Sequence, residues 1–507
     1  MKNKILVLIL IAAIGLLAGC GRNAETIESA VDDKPITSQK SVIQHKGSLR
    51  LPIARLREDK KEALLVSSGI PFAPGRIYSD GDIAFFDDAN AEVSIATSIL
   101  ARWPQDGSVR SILVQFSIDI PHKYTYLTMK WGVPRAYVGT PKEVGWEIPD
   151  AIVRLPALWL CESLVSGEQL PISYNRATGK PLTKYDQNIV NNFMKISTAK
   201  LKGDVRKDDY YDITHVFYQL YIRSGDEMYF QAARREAVRY REEHIIKDGP
   251  ERGRAVQRKE TRYIYVEGMV DDYLLTGDRR SLEVATYMAE YLKRNCPPEK
   301  AFFPKKGTRF WTEREQAFPF LGIITYYQLT GDKEYFDIAK QFMANLYRTQ
   351  NEWPGRGGFI HNLYSHDPEE GARQDEYGGS PFMTGLLLEA IVKYHQLTNS
   401  STAKDSIFKA LNWLMKDCLA PDGDSFIYLT CDKRRGEGHP DLNMLIVHAF
   451  GYGYRISGYE RKDYLELGQK LFERGMNSAR LSDRKHFNQN YRSSGHFLAY
   501  IVERKKE

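Results

Sequence analysis

One short pattern recurs along the chain and sets what it can fold into. Tyr221-Ile222-Arg223-Ser224-Gly225-Asp226 is echoed by Tyr273-Leu274-Leu275-Thr276-Gly277-Asp278 and by Tyr327-Gln328-Leu329-Thr330-Gly331-Asp332. Looser copies end at Asn399 and Gly458. Gly and Asn tolerate the left-handed conformation that stops a helix, and Asp starts the next one well. Each copy therefore predicts helix, tight turn and antiparallel helix, at the spacing of a helix-pair repeat. Segments before the turns, such as 384–392 and 444–454, carry small residues and few charges. Those after them, such as 335–346 and 464–474, are amphipathic. The pattern predicts an inner and an outer ring, an (α/α) toroid over 151–507, closed by a helix near Ser494–Glu503; an open solenoid is the rival. Turns within pairs are short, so the long connections 247–260, 295–311, 350–380, 418–440 and 477–490 gather on the other face. Inner-helix N-termini lie there too, and function is expected there.

Upstream the texture differs. Between 49 and 150, short apolar runs alternate with turn signals such as Pro74-Gly75, Asp80-Gly81 and Asp106-Gly107. Ser111–Ile118 and Tyr124–Trp131 read as strands, and the whole as a β-barrel or sandwich-like domain. Residues 1–20 read as a lipoprotein signal peptide: Lys2 and Lys4, an apolar run to Leu17, then Leu17-Ala18-Gly19-Cys20. Cys20 is the expected lipidation site. Gly21 in place of Asp favours an outer membrane where the source has two. Residues 21–48 read as a flexible polar tether. In an exported chain Cys418 and Cys431 can form a disulfide across a turn-rich segment. Net charge is +6 over 507 residues, with no basic block, which argues against a nucleic-acid partner.

Gly69-Ile70-Pro71-Phe72-Ala73-Pro74-Gly75, followed by Ala101-Arg102-Trp103-Pro104-Gln105-Asp106-Gly107-Ser108-Val109-Arg110, resembles the N-terminal barrel of exo-type rhamnogalacturonan-lyase-like proteins. Leu158–Ser163 with Gly167–Pro171 resembles the start of that family's helical domain. The resemblance implies a RIFT-barrel-like β domain, an (α/α) toroid and cleavage of an anionic polysaccharide. The chain departs from the pattern by inserting Gln105 and by placing Ser111 where an aromatic is expected. No catalytic residue is carried over.

A lyase acting on a uronate must neutralise the carboxylate, remove the proton beside it and protonate the leaving oxygen. Arg314, next to the N-cap Thr312, is a candidate clamp, with Glu315 as the capping-box partner. His361, in the longest loop with His366, Tyr364, Arg373 and Tyr377, and His439, before Pro440-Asp441, are candidate bases. Tyr491 is a candidate proton donor. His215, three residues after Asp212, is a candidate base or member of a buried polar pair. Trp311, Trp353 and Tyr265 are candidate sugar platforms, with Arg373 and Asn488 as further substrate contacts. A hydrolase would instead draw on Glu267, Glu313 and Asp441, and a non-catalytic glycan-binding lipoprotein would need only platforms. No zinc spacing, P-loop or serine elbow occurs, so no metal or cofactor is expected. A divalent cation at the substrate carboxylate has no motif behind it. The expected partners are an acidic polysaccharide and, through the anchor, a membrane of the cell envelope.

Overall fold

The computed structural model describes residues 46–59, 63–142, 148–172, 183–298, 312–352, 357–363, 376–430 and 436–503. The expected signal peptide, Cys20, the tether up to residue 45 and Cys431 lie outside the described residues.

Eight strands form one sheet: β1 (Gly47–Arg55), β2 (Leu64–Pro71), β3 (Ile83–Phe86), β4 (Glu92–Val93), β5 (Ala96–Arg102), β6 (Val109–Ile118), β7 (Tyr124–Trp131) and β8 (Ala151–Val153). Their order is β4-β3-β7-β1-β8-β2-β6-β5. The pairs are antiparallel, except for a parallel Val66–Ala151 pairing of β2 with β8. A register shift between Ile99 and Arg102 bends the edge strand β5, as an inserted residue does. The result is a half-barrel sheet, open between β4 and β5.

The motif residues that mark the N-terminal resemblance hold this sheet to the helices. Ser111 Oγ donates to the Leu274 carbonyl at 2.6 Å. An aromatic would not fit there, which accounts for the departure at this position. A Cβ at Gly69 would collide with the same carbonyl. Trp159 Nε1 donates to Pro71 O at 2.8 Å, and Trp103 Nε1 to Phe72 O at 3.0 Å. Phe72 meets Trp159 edge-on at 5.5 Å. Each bond satisfies a buried polar group that packing alone would strand. One apolar core runs from Leu51 in β1 to Tyr500 in the last helix.

The repeat turns form as their chemistry requires. Gly225, Gly277, Gly331 and Asn399 have φ of 66°, 74°, 71° and 53°, and each backbone N–H bonds a carbonyl in the last helical turn before it. Asp226, Asp278, Asp332 and Ser400 then cap the following helices. The fifth copy departs: its helix ends at Ser457, and Gly458 follows with φ 74°. Among the described residues the inner helices are Ile213–Ser224, Val266–Thr276, Glu313–Thr330, Pro381–Thr398 and Val447–Ile456, with Arg484–Tyr491 and Ser494–Tyr500 closing the ring. The outer ones are Glu227–Arg239, Arg279–Asn295, Lys333–Asn351, Ser401–Trp413, Lys462–Asn477 and Lys184–Ser197. Closure is direct. Gln219 Nε2 donates to Arg492 O at 2.9 Å, Asn488 Nδ2 to Tyr210 O at 2.9 Å, and Tyr185 Oη meets Ser494 Oγ at 2.8 Å. The chain is a toroid and not an open solenoid.

Candidate active site

On the long-loop face, the inner-helix N-termini bring together a basic, tyrosine-lined patch. Thr312 caps the Glu313–Thr330 helix by accepting from Glu315 N at 3.4 Å. The capping box is half-formed, because the Glu315 carboxylate turns to Thr261 Oγ1 at 2.8 Å and to Arg262 at 3.4 Å. Arg314 follows the cap and is 8% exposed. Its Nη1 donates to Tyr210 Oη at 2.7 Å, and its Nε has no partner. The guanidinium lies 5.8 Å from the Phe382 ring centre and 6.0 Å from that of Tyr210. Among the described residues no carboxylate makes an ion pair with it. Burial disfavours the cation, while Tyr210, Tyr211 and the Glu315 carboxylate, itself held by Thr261 and Arg262, favour it, and the balance lies above the usual guanidinium range.

Lys485 faces the same patch, 5.7 Å from the Tyr210 ring centre. Burial, then the nearby Arg314, pushes its ammonium below the usual lysine range. Tyr428 packs on Phe382 at 5.3 Å, and His439 meets Tyr428 edge-on at 5.3 Å. His439 N donates to Phe426 O at 2.8 Å, which fixes its backbone. Its ring Nε2 is buried without a partner. Asn488 Nδ2 ties the Tyr210 carbonyl to the closing helix, and its Oδ1 is unpartnered.

A strained turn aims the tyrosines. Tyr210 and Tyr211 stack at 4.1 Å. Tyr211 and Asp212 have φ of 69° and 61°, a left-handed conformation that Asp tolerates and that is unfavourable for a bulky Tyr. Surrounding bonds hold it. Asp212 Oδ1 accepts from His215 N at 3.1 Å, and Oδ2 from Gly268 N at 3.0 Å. A Cβ at residue 268 would sit 2.5 Å from that carboxylate, so Gly is required there. Burial, against the pull of His215 and Arg492, raises the Asp212 carboxyl to about 6.

Beneath the patch, Arg492 fills the toroid axis. Its Nε donates to Glu389 Oε2 at 3.1 Å, its Nη2 to Glu267, and its Nη1 to the Tyr211 carbonyl at 3.4 Å. Lys393 Nζ donates to Glu267 Oε1 at 3.0 Å. Burial alone would raise the Glu267 carboxyl, but Lys393, Arg492 and His215 hold it far below the usual range. Donor atoms of His215, Glu267 and Glu389 lie within 4.8 Å of one another, the reach of a metal site. Those groups are already engaged: Glu267 and Glu389 by Arg492 and Lys393, His215 Nδ1 by Asp271 at 2.7 Å, and its Nε2 by Gln219 at 2.6 Å.

Of the residues singled out in sequence, Arg314, His439 and Asn488 lie around this patch. His215 sits in the axis instead. His361 is fully buried with its Nδ1 2.7 Å from Glu313, so it is a structural pair and not an accessible base. Tyr491 packs between Tyr185 and Phe487 and not against Arg314, and burial drives its hydroxyl well above the usual range, so it is no proton donor to the patch. Tyr265 is likewise core, 2% exposed, its hydroxyl accepting from Tyr211 N, and offers no face to a sugar. Trp311, Trp353, Arg373, Tyr364 and His366 lie outside the described residues. Tyr210, Tyr211, Tyr428, Arg262 and Lys485 were not singled out. The Tyr-Tyr-Asp run before an inner helix was the one signal for two of them.

Residues 261–352 match the family model described as the catalytic domain of β-L-arabinofuranosidase, GH127. The matched segment holds Arg262, Glu267 and Arg314. No curated protein sequence matches the chain. Among solved structures, an unsaturated glucuronyl hydrolase specific for heparin aligns with TM-score 0.45 and 11% identity, over 62% of this chain and 95% of that one. An unsaturated glucuronyl hydrolase from Bacillus sp. GL1 aligns with TM-score 0.41 and 13% identity, over 59% and 86%. The GH76A α-1,6-mannanase of Salegentibacter sp. HEL1_6 aligns with TM-score 0.41 and 14% identity, over 62% and 97%. The matched segment is less than a fifth of the chain, lies inside the toroid and is similar to part of a carbohydrate-active enzyme family.

Proposed function

We propose that this chain cleaves an acidic, uronate-containing polysaccharide by β-elimination at the long-loop face of its toroid. The observation that carries the reading is Arg314: a buried guanidinium with no carboxylate partner among the described residues, ringed by tyrosines and reinforced by Lys485. A buried unpaired cation is costly unless a ligand supplies the counter-charge. A uronate carboxylate does so, and guanidinium binds carboxylate strongly. Neutralising that carboxylate acidifies the neighbouring C–H. His439 Nε2 and Tyr210 Oη are the groups able to take that proton and to protonate the leaving glycosidic oxygen. The C–H and C–O bonds break, a C=C bond forms, and the proton ends on the departing sugar.

Hydrolysis is the second reading, favoured by the arabinofuranosidase family match. It needs two available carboxyls, about 5–5.5 Å apart for retention or about 6.5–9.5 Å for inversion. The acids considered from sequence are committed elsewhere: Glu267 to Lys393 and Arg492, Glu313 to His361, and Asp441 faces Arg480 at 3.7 Å. We also propose that a lipid anchor on Cys20 holds the protein in the cell envelope, at the outer membrane where there are two. No described helix is long and apolar enough to cross a membrane.

The test is to incubate the purified chain with acidic polysaccharides and follow the ultraviolet absorbance of an unsaturated uronate beside the yield of reducing ends. Absorbance that rises in the parent and is lost in Arg314→Gln supports elimination. Reducing ends without absorbance establish hydrolysis. Retention of the glycan with neither signal leaves a binding protein.

A further inference from the structure

A second polar pocket lies at the other end of the axis, where the β6 strand meets the helices. Its cavity volume is about 80 Å3, and its walls include Arg110, His215, Asp271, Glu389, Lys393 and His496. Partly exposed Gln328 and Gln396 and exposed Gly167 mark the mouth. None of the patch residues around Arg314 lines it.

Its charges leave a remainder. Glu267 and Glu389 are answered by Lys393 and Arg492, and Asp271 by His215. His448 and His496 are kept neutral by burial, which lowers both to about 4. Arg110 is left over. It is 3% exposed; Nη1 and Nη2 donate only to the carbonyls of Gln328 and Val165, at 2.9 and 3.2 Å. Its Nε is buried with no partner. No carboxylate makes an ion pair with it among the described residues, and burial, against the pull of the more distant Asp271, brings it down to about 10. A single buried cation asks for a monoanion, because a dianion would meet the three carboxylates. The rest of the wall suits a hydroxylated body. Carboxylates, Thr325, Tyr500 and the glutamines bond hydroxyls, while Val270, Leu321 and Val392 offer an apolar side.

We propose that this pocket binds a small sugar acid, a single hexuronate or aldonate, with its carboxylate on Arg110 and its hydroxyls on the carboxylate-lined wall. The inference borrows its ligand class from the same charge reasoning as the long-loop patch, but it concerns a separate site and stands apart from any lyase activity.

The experiment is calorimetric titration of the full chain with sodium glucuronate, with glucose and acetate as controls. The expected result is saturable one-site binding of glucuronate, at least tenfold tighter than either control. Arg110→Gln should weaken it tenfold or more. So should Gln396→Trp, which narrows the mouth without touching Arg110 and covers the case in which Arg110→Gln fails to fold. Arg110→Gln should keep any polysaccharide cleavage. No binding at millimolar glucuronate, acetate binding as well as glucuronate, or undiminished binding in Gln396→Trp overturns the proposal. Loss of binding in Arg314→Gln also overturns it, since it assigns the sugar acid to the long-loop patch. Cleavage abolished by Arg314→Gln while glucuronate fails to bind would sink this inference and leave the lyase reading standing.

Discussion

Replacing Arg314 by Gln should make the protein more stable and less able to bind its substrate. The guanidinium is 8% exposed and faces rings and a phenol in place of a carboxylate. Burying such a cation costs several kcal/mol after relaxation. The charged bond to Tyr210 returns roughly 1.5–3 kcal/mol, and the two ring faces return about 1 kcal/mol. Gln keeps a neutral bond to Tyr210 and removes the charge, so the variant should gain about 1–2 kcal/mol, or roughly 1–2 °C in Tm for a chain of this length. Binding moves the other way. Deleting one partner of a buried charge pair costs ~2–5 kcal/mol, so affinity for a polyuronate should fall by about a hundredfold or more. Thermal melts with and without polygalacturonate read both effects. The parent should start lower and rise with the polymer, as a ligand-stabilised native state does; Arg314→Gln should start higher and stay put. A variant that melts several degrees below the parent would show Arg314 to be a structural tie, and the reasoning from an unpaired charge would fail.

Three further outcomes follow from the same structure. His439→Gln should retain polyuronate binding while turnover drops by about 10²–10⁴-fold, the usual worth of a general acid or base; comparison of kcat with KM checks it. Asp212 sits near 6 when folded against 3.8 in a model peptide, so its protonated form contributes stability that is fully present below about pH 4 and lost as pH rises through 6. At 1.36 kcal/mol per unit, the loss is about 3 kcal/mol, and urea melts at pH 4.5 and 7.5 should show it shrink in Asp212→Asn. Gly69→Ala pushes a methyl into the Leu274 carbonyl and should lower stability by about 1–3 kcal/mol, the range for overpacking; an unchanged denaturation midpoint would refute the close approach.

The ring was legible because its turns are written in residue types. Gly225, Gly277, Gly331 and Asn399 stand where a left-handed residue is needed, and Asp or Ser follows as a cap. Arg314 and His439 were legible for a related reason: each stands beside a helix start that its neighbours announce, Thr312 in one case and Pro440 in the other. Tyr210, Tyr428 and Lys485 were not, because they come from separate stretches of chain that meet only when the ring closes, and nothing local marks them. Tyr491 and Tyr265 misled because a tyrosine before a loop reads alike whether its ring faces solvent or core. The run from Gly69 to Arg110 was read for its family resemblance, while its physical work lies in the seam between sheet and helices, visible only with Leu274 in place.

The ring closure also sets an order of events during synthesis. Arg484 bonds the Asp208 carbonyl, and Asn488 that of Tyr210, across sequence separations of 276 and 278 residues. The first helix pair therefore emerges from the ribosome long before its last neighbour exists. Until residues 484–500 arrive, Phe217 lacks the Phe487 ring that covers it, and the Tyr211 carbonyl lacks Arg492. Contacts so distant in sequence slow folding, and transiently uncovered apolar surface invites aggregation. A chain stopped a few dozen residues early would hold nearly every helix and still be an open arc with a greasy, strained seam. Up to its final two helices, the nascent chain thus exposes apolar surface of the kind that makes folding intermediates prone to aggregate.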